Sequence, residues 1–173
     1  MITKDIFDAY DKFLDERGLA LDAIIVGGTA LNLLGYISRQ TRDVDIIAPE
    51  LSEALKFASE EFAETIPTLW SNWLNNGPSS LVDILPIGWE SRLQDSYTGT
   101  ALHLKTLGRS DLLKTKLFAY CDRGTDLSDC IAMNPSPEEL NDALQWVVLQ
   151  DANPLWPEHV RASFDVLKQQ LNG

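Results

Sequence analysis

Two short segments constrain this chain more than anything else in it: Val26-Gly27-Gly28-Thr29, and Arg39-Gln40-Thr41-Arg42-Asp43-Val44-Asp45-Ile46-Ile47 soon after. An apolar run ends in two glycines, and a second apolar run carries two aspartates separated by one residue. Side chains alternate faces along a β-strand, so Asp43 and Asp45 share a face there; on a helix, positions two apart do not meet. Like-charged carboxylates placed side by side repel, and a divalent cation between them relieves the repulsion. The pair therefore reads as half of a metal site. The glycine turn reads as a phosphate site: a strand entering a helix through Gly27, Gly28 and Thr29 presents free N–H groups at the positive end of the helix. Glycine lets a ligand approach the backbone, and the Thr29 hydroxyl can donate to a phosphate oxygen. The missing third glycine excludes a dinucleotide fingerprint, and no Gly-Lys-Ser/Thr follows to make a Walker loop. A plain turn capped by Thr29 competes with this reading. So do aspartates bonded to loop amides or to Arg39 and Arg42.

A third carboxylate sits in Leu81-Val82-Asp83-Ile84-Leu85. A charge centred in an apolar strand is costly unless it is paired or metal-bound. Beside the strand bearing Asp43 and Asp45, Asp83 completes a set able to hold two metals; an ion pair to an arginine is the alternative. Lys116 shares a helix face with Leu113, Leu117 and Tyr120, so it either snorkels to water or aims at an anion. Arg39, Arg42 and Arg109 are further candidates for balancing phosphate charge.

Periodicity places a helix over Asp5 to Glu16, a buried strand over Leu21 to Val26, and a helix from Thr29 to Leu34. A strand is expected over Asp43 to Ala48 and a helix over Leu51 to Phe62. Thr65 to Trp73 and Leu81 to Leu85 are expected as a hairpin about Asn75-Asn76-Gly77-Pro78, with a further short strand over Leu102 to Leu107. Beyond Ser110 the pattern is helical: to Cys121, from Asp126 to Met133, from Ser136 to Gln150, and a last helix to Leu171. An α/β core with helices added at the C-terminal end follows, with boundaries at 1–108 and 109–173 and the second region packed on the first.

The net charge of −12 argues against an extensive nucleic-acid surface, which needs clustered Lys and Arg, and leaves room for a basic partner protein. Cys121 and Cys130 fit no zinc spacing and read as free thiols. No apolar stretch is long enough to span a bilayer, and the N-terminal residues lack a signal-peptide layout, so a cytoplasmic protein without membrane contact is expected.

Taken together, the glycine pair, Thr29, a helix, Asp-x-Asp in a strand and a later Asp resemble the core signature of the DNA polymerase β-like nucleotidyltransferase superfamily. More narrowly, Gly27-Gly28-Thr29-Ala30-Leu31, Arg39, Thr41, Asp43 and Asp45 resemble the minimal nucleotidyltransferase-like proteins near the AbiEii abortive-infection toxins. Ser110 to Leu117 and Arg123 to Asp129 resemble that group's lysine helix and Arg-Asp-Leu segment. The resemblance covers residues 20 to 130. It implies an α+β fold, a mixed-sheet nucleotidyltransferase core with flanking helices and a helical C-terminal extension. Asp43, Asp45 and Asp83 would be catalytic and bind Mg²⁺ or Mn²⁺. Gly27, Gly28, Thr29, Arg39 and Lys116 would bind an NTP. The implied reaction is NMP transfer to a hydroxyl of RNA, protein or a small molecule, beside an antitoxin partner in some relatives. A catalytically inert relative that binds a nucleotide or partner is the alternative.

Overall fold

In the computed structural model, which describes residues 2–172, Leu21–Val26 forms the central strand β1 of a mixed five-stranded sheet. Around it lie β2 (Val44–Ala48), β3 (Leu74–Asn75), β4 (Gln94–Thr98) and β5 (Leu102–Thr106) in the order β3-β2-β1-β5-β4. β1 runs antiparallel to β2 and parallel to β5, β2 is parallel to β3, and β4 is antiparallel to β5. Helices α1 (Lys4–Asp15), α2 (Gly27–Leu33) and α3 (Glu53–Thr65) belong to the same compact unit, within residues 1–107. This is an α+β architecture of the kind expected for a nucleotidyltransferase core.

Local chemistry accounts for these elements. Phe7, Tyr10 and Leu14 recur at helical spacing and form the buried stripe of α1. Tyr10 meets Phe62 of α3 and Trp73 with ring centroids 5.0 Å apart in each case, an aromatic knot that ties the helices to the sheet edge. Ser52 caps α3 by accepting the Leu55 N–H at 3.3 Å.

Two expectations fail in an instructive way. Thr65 to Trp73 and Leu81 to Leu85 do not form a hairpin. α3 continues through Thr65, β3 is two residues long, and Ser79–Asp83 is a 3-10 turn. Pro78 cannot donate to a ladder and sits at the start of that turn, so the apolar stretch around Asp83 coils instead of extending. The hairpin is formed by β4 and β5. β4 reads Gln-Asp-Ser-Tyr-Thr, an edge strand without a buried residue, so it carries no apolar alternation to detect. Its turn is held by the Asp11 carboxylate, which accepts the N–H groups of Thr100, Ala101 and Leu102 at 3.1, 2.8 and 2.8 Å. Burial opposes ionisation of Asp11, but these three bonds outweigh it and hold the carboxyl below its ordinary value.

A second compact unit lies within residues 108–173 and is helical: α4 (Arg109–Arg123), α5 (Leu127–Ala132), α6 (Pro137–Val147) and α7 (Trp156–Asn172). α4 stops at Gly124, which takes the left-handed conformation at φ 69°. α6 begins with a reciprocal capping box between Ser136 and Glu139. Among the described residues, no helix is long and apolar enough to cross a membrane.

Candidate nucleotide site

The register of β1 against β2 builds the site. Val26, the last residue of β1, pairs with Asp45, so the glycine that follows it lies against that carboxylate. Gly27 has φ +74°, and a Cβ there would stand 2.5 Å from Asp45 Oδ2. Only glycine tolerates both the left-handed backbone and this approach. Asp45 Oδ1 accepts from Asn75 Nδ2 at 3.3 Å, across the parallel pair of β2 and β3. The Asn75 amide is itself oriented, because its Oδ1 accepts the Gly77 N–H at 2.8 Å. Asn76 extends the clamp by donating to the carbonyls of Ile46 and Pro49 at 3.2 and 3.0 Å. The Asn-Asn-Gly turn signal is therefore a clasp on β2, and Asn75 is the site residue that sequence reasoning passes over. Nothing in a turn motif announces a carboxylate partner thirty positions upstream.

α2 fixes the loop between itself and β2. Asn32 Nδ2 donates to the carbonyls of Ile37 and Arg39 at 3.3 and 3.1 Å. Thr29 Oγ1 donates to the Asp43 carbonyl at 2.6 Å and lies 2.8 Å from Thr41 Oγ1. A carbonyl can only accept, so the single Thr29 proton goes to Asp43 and the Thr41 hydroxyl supplies the second bond. Thr29 is 3% exposed. Its hydroxyl therefore holds the loop instead of reaching outward, and what Thr29 offers a ligand is its backbone. The pinned loop lays Arg39 over the second glycine. A Cβ on Gly28 would meet Thr41 Cγ2 at 3.0 Å and the Arg39 Nη2 and Nη1 atoms at 3.3 and 3.4 Å. Gly27, Gly28, Arg39 and Asp45 thus share one neighbourhood, with a guanidinium and a carboxylate on either side of the glycine pair.

Asp43 is exposed and immediately precedes β2, so only Asp45 lies within the strand. Asp83 is exposed at the end of its 3-10 turn, which packs beside β2. Among the described residues, no three His, Cys, Asp or Glu side chains form a group able to hold a metal ion. The expected convergence of Asp43, Asp45 and Asp83 is therefore not present here, and the cause is the coiling of the Asp83 segment. Two carboxylates at the start of β2 remain. Two carboxylates are a donor number that Mg²⁺ accepts, since it completes its octahedron with substrate oxygens and water.

Within the second unit, the Lys116 ammonium is 2.8 Å from both Asp126 Oδ1 and Asp129 Oδ2. Lys116 and Asp129 are buried, at 6% and 1% exposure. Burial pushes Lys116 down, but the two carboxylates outweigh it and hold the amine above its ordinary value. Burial likewise pushes Asp126 up, and Lys116, with Thr125 and Arg123, brings the carboxyl below its ordinary value. Lys116 is thus the centre of a buried ion cluster between α4 and α5. Arg109 is bound by Glu139 at 2.6 and 3.1 Å and by the Met133 carbonyl at 2.8 Å.

A family model described as "Nucleotidyltransferase of unknown function (DUF6036)" matches residues 3–151. No curated protein and no solved structure matches the chain.

Proposed function

Because the chain belongs to this nucleotidyltransferase family, we propose that it is a divalent-metal-dependent enzyme that moves an NMP from an NTP to a hydroxyl of RNA, a protein or a small molecule. The observation that carries the reading is the placement of Asp45 against Gly27, with the Arg39 guanidinium over Gly28. A carboxylate, the backbone N–H groups of a helix start and a planar cation are what a metal–triphosphate needs on its protein side. Asp43 and Asp45 would hold Mg²⁺ or Mn²⁺, which when bound offsets charge on the phosphates and the departing pyrophosphate. Gly27, Gly28 and the Thr29 backbone would receive phosphate oxygens, and Arg39 would balance their charge. The acceptor hydroxyl oxygen bonds to the α-phosphorus, the bond to the β-phosphate oxygen breaks, and pyrophosphate leaves. Asp83, exposed beside β2, is assigned to take the hydroxyl proton, a role that does not require it to ligate metal. Lys116 supports the second unit from within its ion cluster and is not assigned to phosphate.

The resemblance of Gly27 to Leu31, Arg39, Thr41, Asp43 and Asp45 to proteins near the AbiEii toxins supports a cytoplasmic toxin–antitoxin or phage-defence setting with a partner protein. A second reading, an inert module of the same fold that binds a nucleotide or a partner, draws on the absence of a three-carboxylate group among the described residues. The two separate in one experiment. The protein is incubated with α-labelled NTPs, Mg²⁺ or Mn²⁺ and cell extract, beside Asp45→Asn. The enzymatic reading expects label on an acceptor with the native protein and none with the variant. Nucleotide binding without transfer under every NTP would leave the inert module standing, and equal labelling by both proteins would remove Asp45 from the chemistry.

A further inference from the structure

We propose that Trp70, with Arg42 across its ring, is a stacking subsite for the nucleobase of the bound nucleotide, an inference that rests on the nucleotide reading above. Trp70 is 55% exposed, an uncommon position for the largest apolar side chain. The Arg42 guanidinium carbon lies 5.2 Å from the ring centroid. Behind it, the Trp70 carbonyl accepts the Trp73 N–H at 3.0 Å, and Trp73 is 1% exposed with its indole N–H donated to the Ser59 carbonyl at 3.1 Å. The Trp73 carbonyl in turn accepts the N–H of Val44, the residue between the two aspartates, at 2.6 Å. Trp70 is thus anchored to the start of β2.

The loop from Arg39 to Asp43 therefore carries two cations with different neighbours. Arg39 lies over the phosphate-side glycine and Arg42 lies against an indole. That division matches the two ends of a nucleotide. A triphosphate takes charge and amides, whereas a base takes a flat aromatic surface, which stacks with every base because each has a π-face. The Arg42 guanidinium over one face of the ring adds cation–π attraction and leaves the opposite face for the base. Stacking tolerates every base, so discrimination among NTPs by this ring would follow stacking strength.

The test measures binding of ATP and of inorganic tripolyphosphate, each with Mg²⁺, to the full chain and to Trp70→Ala and Trp70→Phe, by titration calorimetry. Expected are an ATP affinity about 5- to 150-fold weaker in Trp70→Ala, recovery of most of it in Trp70→Phe, and unchanged tripolyphosphate binding throughout. Unchanged ATP affinity in Trp70→Ala overturns the subsite while leaving the nucleotide site intact. Parallel loss of both ligands in Trp70→Ala also overturns it, by making Trp70 a support of the fold. Failure of the native chain to bind either ligand removes the nucleotide reading itself, and the subsite with it.

Discussion

Replacing Gly27 by alanine tests the geometry of the site without replacing a charged residue. The new Cβ falls 2.5 Å from Asp45 Oδ2, and the backbone there has φ +74°. A left-handed conformation costs an L-residue about 1–2 kcal/mol. The carboxylate must also retreat by about 0.9 Å to reach ordinary contact, an overpacking that typically costs about 1–3 kcal/mol. The Asn75 bond to Oδ1 limits the directions in which Asp45 can swing. Gly27→Ala is therefore expected to destabilise the chain by about 2–5 kcal/mol, read from urea unfolding. Transfer or nucleotide binding should fall by about two orders of magnitude, since a shift of this size misplaces a reacting group. A double-mutant cycle isolates the contact. In an Asp45→Ala background only the backbone penalty remains, because the Asp45 Cβ is at 3.6 Å, so the cost of Gly27→Ala should drop to about 1–2 kcal/mol. Gly28→Ala, whose Cβ meets Thr41 Cγ2 at 3.0 Å and the end of a flexible arginine, should cost less than Gly27→Ala. Additive costs for Gly27→Ala and Asp45→Ala would refute the packing of this carboxylate on the turn.

Other outcomes follow from the same structure. Thr29→Val removes the donor to the Asp43 carbonyl and should cost about 1–3 kcal/mol in a urea melt, whereas Thr29→Ser should stay near the native value. Lys116→Met takes the ammonium from the buried Asp129 and leaves Asp126 with Arg123, and should destabilise by about 3–5 kcal/mol. The same cluster sets a pH dependence. The lowered Asp126 carboxyl contributes stability that is complete above its unfolded value near 3.8 and drains as pH falls through the folded one; the raised Lys116 amine contributes below 10.5 and is lost as pH climbs past its folded value. In Lys116→Met the acid limb should flatten, since Asp126 loses the Lys116 ammonium that helps hold its carboxyl below the ordinary value. Superimposable acid limbs for the two proteins would contradict this.

Local signals made much of the core legible. β1, the glycine turn and the stripe of α1 are written in contiguous residues, and Ser136 announces the start of α6 through its own cap. The contact of Gly27 with Asp45 was not written in either motif; it follows from the register that pairs Val26, the residue before the turn, with Asp45. What depended on distant partners was not readable. β4 exists because Asp11, on α1, grips the turn that follows it. Asp83 coils because Pro78 and a two-residue β3 leave it no strand to extend. Lys116 carries an apolar-face pattern that suits an outward cation equally well, and only the fold brings Asp126 and Asp129 to its ammonium. Asn75 shows the same limit from the other side, as a turn residue whose amide finds a carboxylate on the neighbouring strand.

The central claim, that a metal-bound nucleotide docks where Asp45 meets the glycine turn, is tested most directly by paramagnetic broadening. Amide spectra of the ¹⁵N-labelled chain are recorded as Mn²⁺ is added with and without ATP. The account predicts broadening strongest at Gly27, Gly28 and the residues from Asp43 to Asp45 and falling off with distance from them, deepened by ATP and absent in Asp45→Asn. Broadening scattered over the acidic surface and unchanged in the variant would contradict it.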